Sequence, residues 1–190
     1  MVIKLASTNL LSLHAIRKKW PETPCILLIR DPGEVVISNL KPGGWLAYRS
    51  LPAYAASVLG MNEIQVAEMS DIEFCTRVIQ RLNEAALEGV DNNWMIIDYN
   101  MLNFALMPAI VEFIGLDRAK LNWDAMQSTF HMYSKDEDGV RVFEDDREEK
   151  RARASQLITS SNANLAKKSY DLLLQMSLAN LPHSNENRAD

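Results

Sequence analysis

The chain comprises 190 residues, of which 47% are hydrophobic and 24% are charged, with a formal net charge of −5 at pH 7. This acidic balance excludes broad binding to a nucleic-acid backbone, because such binding needs a positive surface. No apolar run approaches the roughly 20 residues that span a bilayer. The N-terminus also lacks the basic-then-apolar order of a signal peptide, so we expect a soluble cytoplasmic protein without a membrane span. Length and apolar content predict one domain over residues 1–183 and a polar tail over residues 184–190.

The chain opens with a short apolar stretch, Val2 to Leu5, which we interpret as a strand. Candidate capping residues follow, and the pattern predicts a helix from about Leu10 to Trp20 that is ended by Pro21. A second strand is predicted over Cys25 to Arg30. Because parallel strands need a crossover of this kind, the two strands are expected to be neighbours in one sheet.

The second predicted strand leads directly into the most informative segment of the chain. Its apolar run stops at Arg30, and Asp31-Pro32-Gly33 then forms a turn before a helix that starts near Pro32 and carries Ser38 two turns further on. Ligands of parallel sheets gather at the carboxyl ends of strands, where Arg30 is expected. We therefore predict that Arg30 and Ser38 share an oxyanion such as a phosphate group. The alternative is a surface arginine that only ends a strand.

The rest of the chain is predicted to be mostly helical, with one further strand. Apolar spacing predicts a long helix over Asp71 to Leu87 closed by Gly89, a third strand over Trp94 to Tyr99, a helix over Met101 to Ile114, and a closing helix over Ala163 to Leu178. Between the last two helices, Lys135 to Arg153 is densely charged and is typical of a solvated loop and helix face.

The sequence predicts no metal centre. Cys25 and Cys75 belong to no metal-ligand or redox spacing and are expected to be inert core thiols. The histidines at positions 14, 131 and 183 are too scattered for a zinc site. Neither His14 nor His131 has a carboxylate at a spacing that would indicate a general base.

Three segments carry a family signature in chain order. They are Val2-Ile3-Lys4 before a helix, Ile29-Arg30-Asp31-Pro32 running through Val35-Val36-Ile37-Ser38, and Ile96-Ile97-Asp98-Tyr99 before a helix that ends in Phe113-Ile114-Gly115-Leu116. Together they resemble the sulfotransferase superfamily, whose members move a sulfuryl group from 3′-phosphoadenosine 5′-phosphosulfate to an alcohol, phenol or amine. The resemblance covers roughly residues 2–116. It implies an α/β fold with a partial P-loop-type parallel sheet flanked by helices and a helix-rich C-terminal part.

The resemblance also implies roles for particular residues. In the family, an arginine and a serine eight positions apart bind the 3′-phosphate of the cofactor, and here they correspond to Arg30 and Ser38. Tyr99 then corresponds to a tyrosine that lies against the adenine in some members. Lys150 and Arg151 resemble, more weakly, basic residues near the cofactor phosphate. For Tyr99 the alternative is a half-buried aromatic at a strand end, and for the two cations it is a solvated helix face.

The departures from the family concern catalysis. No strand followed by a Lys-Ser-Gly-Thr-Thr type turn, which holds the 5′-phosphosulfate in the family, occurs in the 190 residues. That loop stabilises the charge on the bridging oxygen, so its loss removes the main electrostatic contribution to the reaction. Lys4 is followed by Leu5 rather than by the histidine that many relatives use as a base shortly after this lysine. No catalytic base is therefore assigned.

The sequence is compatible with three functions. In the first, the chain is the C-terminal part of a sulfotransferase that acts on a hydroxyl or amine acceptor in its complete form and is inactive alone. The start at Met1, directly before the predicted strand, favours that account. In the second, it is a non-catalytic sulfotransferase-like module that binds a nucleotide or a partner. Both leave a sheet edge to be covered by a homodimer or by a missing N-terminal half. The third, another mononucleotide enzyme such as a kinase relative, lacks a phosphate loop.

Overall fold

The computed structural model describes residues 2–41, 43–130 and 146–180. Its strands are β1 (Cys25–Ile29) and β2 (Trp94–Asp98). Its α-helices are α1 (Leu13–Lys19), α2 (Pro32–Asn39), α3 (Pro52–Leu59), α4 (Glu63–Glu68), α5 (Asp71–Gly89), α6 (Met107–Phe113), α7 (Trp123–Thr129), α8 (Arg147–Leu157) and α9 (Ser160–Asn180). Short 3₁₀-helices occur at Ser7–Ser12, Trp45–Ser50, Phe104–Leu106 and Arg118–Lys120. The described part of the chain is thus mostly helical with a small α/β core.

The two strands form a parallel sheet in which Leu27 lies opposite Ile96 and Ile29 opposite Asp98. This corrects the expected sheet order, because β1 pairs with β2 and not with Val2 to Leu5, which forms no strand. A strand needs a hydrogen-bonded neighbour, and among the described residues the outer edge of β1 has none. The apolar start is accordingly exposed, Val2 to 83%.

Local sequence explains where the main helices start. The carboxylate of Asp31 accepts the backbone N–H of Glu34 and so caps α2, whose first residue is the expected Pro32. Ser70 caps α5 in the same way, and α5 confirms the predicted long helix. The helix expected over Met101 to Ile114 is instead divided into a 3₁₀ turn and the shorter α6. Pro108 explains the division, because proline has no backbone N–H to continue a helical ladder and is tolerated in the first turn of a helix, where it lies in α6.

The core lies between the sheet and two long helices. On one face, Ile29 and Ile96 pack with Ala86 of α5 and with Tyr170 and Leu173 of α9. The predicted closing helix is confirmed as α9, and its contacts with both α5 and β2 make it part of the core.

On the opposite face of the sheet, the described residues cover β2 but leave β1 exposed. There Met95 and Ile97 pack with Ile110 of α6. Their neighbours on β1, Ile26 and Leu28, are 38% and 52% exposed. The β1 part of this face is therefore apolar and exposed, and it lies beside the edge of β1 that has no partner strand among the described residues. We call this part, formed by Ile26 and Leu28, the apolar half-face.

The described ranges contain no helix that is both long enough and apolar enough to cross a bilayer. Within the same ranges, no group of three or more histidine, cysteine, aspartate or glutamate side chains is placed to hold a metal ion. The first part of the predicted charged run, residues 135–145, and the predicted tail, residues 184–190, lie outside the described residues. The remainder of that run opens α8.

The uneven cover of the sheet predicts unequal costs for truncating two adjacent strand residues. Ile97 is fully buried, so we expect Ile97→Ala to lower the free energy of unfolding by about 3 kcal/mol. Its register partner Leu28 is half exposed, so Leu28→Ala should cost less than about 1 kcal/mol. Urea unfolding of both variants measures the difference. Equal losses would contradict the exposed half-face.

Candidate functional site

The carboxyl ends of the two parallel strands meet at one edge of the sheet, and charged side chains gather there. β1 leads into Arg30 and the start of α2, and β2 leads into Tyr99 and Asn100. The helix α8 packs against α2 and brings a third set of side chains to the same edge. We call the group formed by Arg30, Glu34, Asp146, Lys150 and Arg151 the edge cluster.

A buried carboxylate, that of Glu34, holds the edge cluster together. Glu34 is 0% exposed, and its two carboxylate oxygens accept from two arginines. Oε2 lies 2.6 Å from Nε of Arg30, and Oε1 lies 2.6 Å from Nε of Arg151. A buried charge is tolerated only when it is paired, and here two guanidinium groups pair it. Glu34 therefore ties α8 to the end of β1.

Arg30 has one guanidinium nitrogen left without a hydrogen bond. Its guanidinium lies over the ring of Tyr99, 4.6 Å from the ring centre, which fixes its plane. Nη2 is buried and has no hydrogen-bond partner among the described residues. Oδ1 of Asp146 is 3.5 Å away from it. A charged donor in this state is a candidate contact for an oxyanion.

The start of α8 adds a second ion pair to the edge cluster. Nζ of Lys150 lies 2.6 Å from Oδ2 of Asp146, and the lysine side chain is only 11% exposed. Burial alone raises the pKa of Asp146, but the hydrogen bond and charge of Lys150, together with Arg30, outweigh burial and hold that pKa below its ordinary value. Asp146 is therefore charged at neutral pH.

The end of β2 is fixed by a separate pair of hydrogen bonds. The hydroxyl of Tyr170 donates to Oδ2 of buried Asp98 at 2.6 Å, and the backbone N–H of Asn100 donates to Oδ1 at 2.8 Å. Burial first, and then this bond to a carboxylate, raise the pKa of Tyr170 above its usual range, so the phenol stays protonated. Asn100, held in this way, accepts from Nη2 of Arg151 at 3.0 Å.

Cations and carboxylates balance at this edge. The cations of its described part are Arg30, Arg147, Lys150 and Arg151, and the carboxylates are Asp31, Glu34, Asp98 and Asp146. The charges of these eight side chains therefore compensate one another. Of the two carboxylates in the edge cluster, Asp146 is 44% exposed and Glu34 is completely buried.

Four of the five predicted site residues meet in the structure. They are Arg30, Tyr99, Lys150 and Arg151. The fifth, Ser38, lies one turn beyond Glu34 on α2, and its hydroxyl donates to the backbone carbonyl of Glu34 at 2.9 Å. Residues four apart share a helix face, so Glu34 stands between Arg30 and Ser38. The shared oxyanion stays a prediction for this pair.

Sequence reasoning missed Glu34, Asp146 and Asn100. The spacing of Arg30 to Glu34 and of Asp146 to Lys150 is i to i+4, a signal for helical ion pairs that was present in the sequence. Asn100 reaches Arg151 across 51 positions, for which a single sequence holds no signal.

A glycine allows α8 to approach α2 closely. A Cβ atom added to Gly33 would lie 3.0 Å from Cβ of Ala154, closer than ordinary contact. A cavity of about 220 Å³ remains between these helices and α9, lined by Asp31, Gly33, Thr76, Ala154, Asn162 and Tyr170 among others. Ligand pockets span roughly 300–1,000 Å³. A nucleotide would therefore extend beyond this cavity.

A larger cavity of about 450 Å³ lies at the opposite, amino end of β2. Trp94, Met95, Phe113 and Met176 are among its lining residues, and none of its lining residues is cationic. Carboxyl ends of parallel strands are the usual ligand edge, so we place the candidate site at the edge cluster despite the larger volume elsewhere.

Comparison with protein-family models, with curated proteins and with solved structures found no match for this chain. The case for a function therefore depends on the geometry of the edge cluster and on the residues that form it.

The buried pairing of Glu34 predicts a large cost for removing its charge. Glu34→Gln keeps the side-chain shape but replaces one acceptor oxygen with an NH₂ donor, so one arginine bond is lost and the other loses its charge assistance. We expect a loss of about 2 kcal/mol in the free energy of unfolding. The control is Glu149→Gln, whose carboxylate is 73% exposed and 4.0 Å from Arg153. Chemical unfolding should show little change for that control. A small effect at Glu34 as well would mean that α8 is not held by this carboxylate.

The lowered pKa of Asp146 predicts a specific acid sensitivity. A carboxyl whose pKa is lower in the folded state stabilises the fold above the ordinary aspartate pKa of about 3.9, and this stabilisation is lost as pH falls through the lower folded value. Asp146→Asn should therefore flatten part of the loss of stability between about pH 5 and pH 2. Lys150 makes the largest contribution to lowering the pKa of Asp146, so Lys150→Met should flatten the same part of the curve. Unfolding midpoints across this range test both, and curves parallel to wild type would contradict the pairing.

Proposed function

We propose that this chain is the nucleotide-binding part of a sulfotransferase-type protein, and that the edge cluster binds the 3′-phosphate of 3′-phosphoadenosine 5′-phosphosulfate. The observation that carries the proposal is the buried Nη2 of Arg30, which lacks a hydrogen bond at the carboxyl end of β1. Lys150 and Arg151 lie beside it and offer further donors to the same anion. Phosphate oxygens are acceptors of the geometry that a guanidinium fork prefers.

Tyr99 gives the proposal its second support. Its ring follows β2 directly and is stacked against the guanidinium of Arg30. A nucleotide whose phosphate reaches Arg30 would bring its base within reach of an aromatic ring at the same edge, and the resemblance assigns this tyrosine to the adenine. We place Ser38 further from the phosphate than Arg30, because its hydroxyl already donates to the backbone of Glu34.

The reaction we propose for the complete form is in-line sulfuryl transfer. The oxygen or nitrogen of the acceptor attacks sulfur, the bond from sulfur to the bridging oxygen breaks, and 3′-phosphoadenosine 5′-phosphate leaves, while the acceptor releases its proton to water. A cationic loop is needed to stabilise charge on that leaving oxygen, and the sequence contains no Lys-Ser-Gly-Thr-Thr type turn. We therefore propose that the chain alone binds the nucleotide and does not turn over.

The unpaired edge of β1 is the proposed attachment point for the missing chemistry. Ile26 and Leu28 leave an apolar half-face beside that edge, as a larger P-loop-type sheet with a further strand would require. The second candidate function is a non-catalytic module that binds a nucleotide or a partner. It is favoured by the balance of charges at the edge, which makes the edge cluster stable without a ligand.

Thermal unfolding with adenosine 3′,5′-bisphosphate tests the binding proposal. A ligand at about 100 times its dissociation constant should stabilise the chain by roughly 2.7 kcal/mol, seen as a rise in melting temperature. Adenosine 5′-monophosphate, which lacks the 3′-phosphate, should give a much smaller rise. Arg30→Ala should abolish the rise, because it removes the guanidinium that reaches the phosphate.

The matched control is Arg153→Ala, a cation of α8 that pairs only loosely with Glu149 at 4.0 Å. This variant should retain the full response. A folded wild-type chain with no response to the bisphosphate would contradict nucleotide binding. An equal response to both nucleotides would contradict the assignment of the 3′-phosphate to Arg30.

A further inference from the structure

Asp146 stands at the capping position of α8 but does not cap it. Its side chain makes no capping hydrogen bond, whereas Asp31 and Ser70 cap α2 and α5 with theirs. Aspartate at this position normally accepts a backbone N–H two or three residues on, which stabilises a helix by about 1 kcal/mol. The carboxylate of Asp146 is instead turned to Lys150 and Arg30.

The two contacts of this carboxylate are unequal. It is well bonded to Lys150 at 2.6 Å, but its approach to Nη2 of Arg30 stops at 3.5 Å and leaves that nitrogen without a hydrogen bond. One carboxylate thus only partly satisfies the two cations. A phosphate group has three oxygens and up to two negative charges. One of its oxygens accepts from Arg30 while another accepts from Lys150.

We propose that Asp146 is an internal competitor that occupies the phosphate subsite and is displaced when a phosphomonoester binds. The ligand takes over Lys150 and Arg30, and the released carboxylate turns from these cations toward the start of α8, where a capping aspartate normally accepts a backbone N–H. Its 44% exposure allows this movement, whereas fully buried Glu34 keeps its arginines. This inference rests on the proposed phosphate binding at the same site.

The exchange is confined to the first turn of α8. Further along the helix, Arg151 remains bonded to Glu34, and Ala154 remains against Gly33. Arg147 and Arg151 also contact Asn100, which is held by buried Asp98. These contacts hold α8 against α2 and the end of β2, so competition sets the affinity without unfolding the helix.

Calorimetric titration of the whole chain with adenosine 3′,5′-bisphosphate tests the inference through Asp146→Asn. Asparagine has the same shape and caps helices as well as aspartate, but it carries no charge to compete with a phosphate. We expect the dissociation constant to fall at least about fivefold, in the range of ordinary coupling between binding events. Glu149→Gln, which removes an exposed carboxylate from the same helix, should leave affinity nearly unchanged.

The outcomes separate this inference from the proposal beneath it. Measurable binding with equal or weaker affinity in Asp146→Asn would overturn the competitor and leave phosphate binding intact. No binding by either folded protein would overturn both. Circular dichroism checks that α8 is retained, and Asp146→Ser, a second uncharged capping residue, replaces the first variant if that one fails to fold.

Discussion

The structure of the candidate site depends on one buried carboxylate. Glu34 is completely buried, yet two arginines bond to its carboxylate. Arg30, at the end of β1, lies four positions before it, and Arg151, on α8, lies 117 positions after it. Removing one partner from such an arrangement leaves a charge uncompensated in a poorly hydrated place, which is far costlier than losing a surface pair. Glu34 on α2 needs a cation to pair its buried charge, and the bond to Arg151 that meets this need holds α8 in place.

That requirement also explains the donor left over on Arg30. Glu34 takes Nε, Tyr99 covers the guanidinium face, and Nη2 then points to a place that Asp146 reaches only at 3.5 Å. A guanidinium so fixed loses little entropy when it binds an anion, because its orientation is already set. The same residues therefore serve the fold and prepare the proposed binding of a phosphate. The uncovered half of the sheet, at Ile26 and Leu28, is where we propose that the remaining parts of a transferase attach.

The sequence predicted the elements whose signals are local. The apolar run of β1, the Asp-Pro start of α2 and the spacing in α5 all depend on near neighbours, and each was confirmed. Val2 to Leu5 was predicted as a strand from its apolar character and from the family resemblance, and this was wrong because it pairs with no strand among the described residues. The expectation that Lys150 and Arg151 lie near Arg30 came from a family resemblance. The bond of Arg151 to Glu34 spans 117 positions and has no local signal.

We propose that a phosphate binds between Arg30 and Lys150 in place of the carboxylate of Asp146. A crystal structure of the chain with adenosine 3′,5′-bisphosphate would show this directly. In that structure we expect 3′-phosphate oxygens within about 3 Å of Nη2 of Arg30 and of Nζ of Lys150. We also expect that the carboxylate of Asp146 has turned away while Glu34 still joins its two arginines. A nucleotide bound elsewhere, with the pair between Asp146 and Lys150 intact, would contradict the proposal.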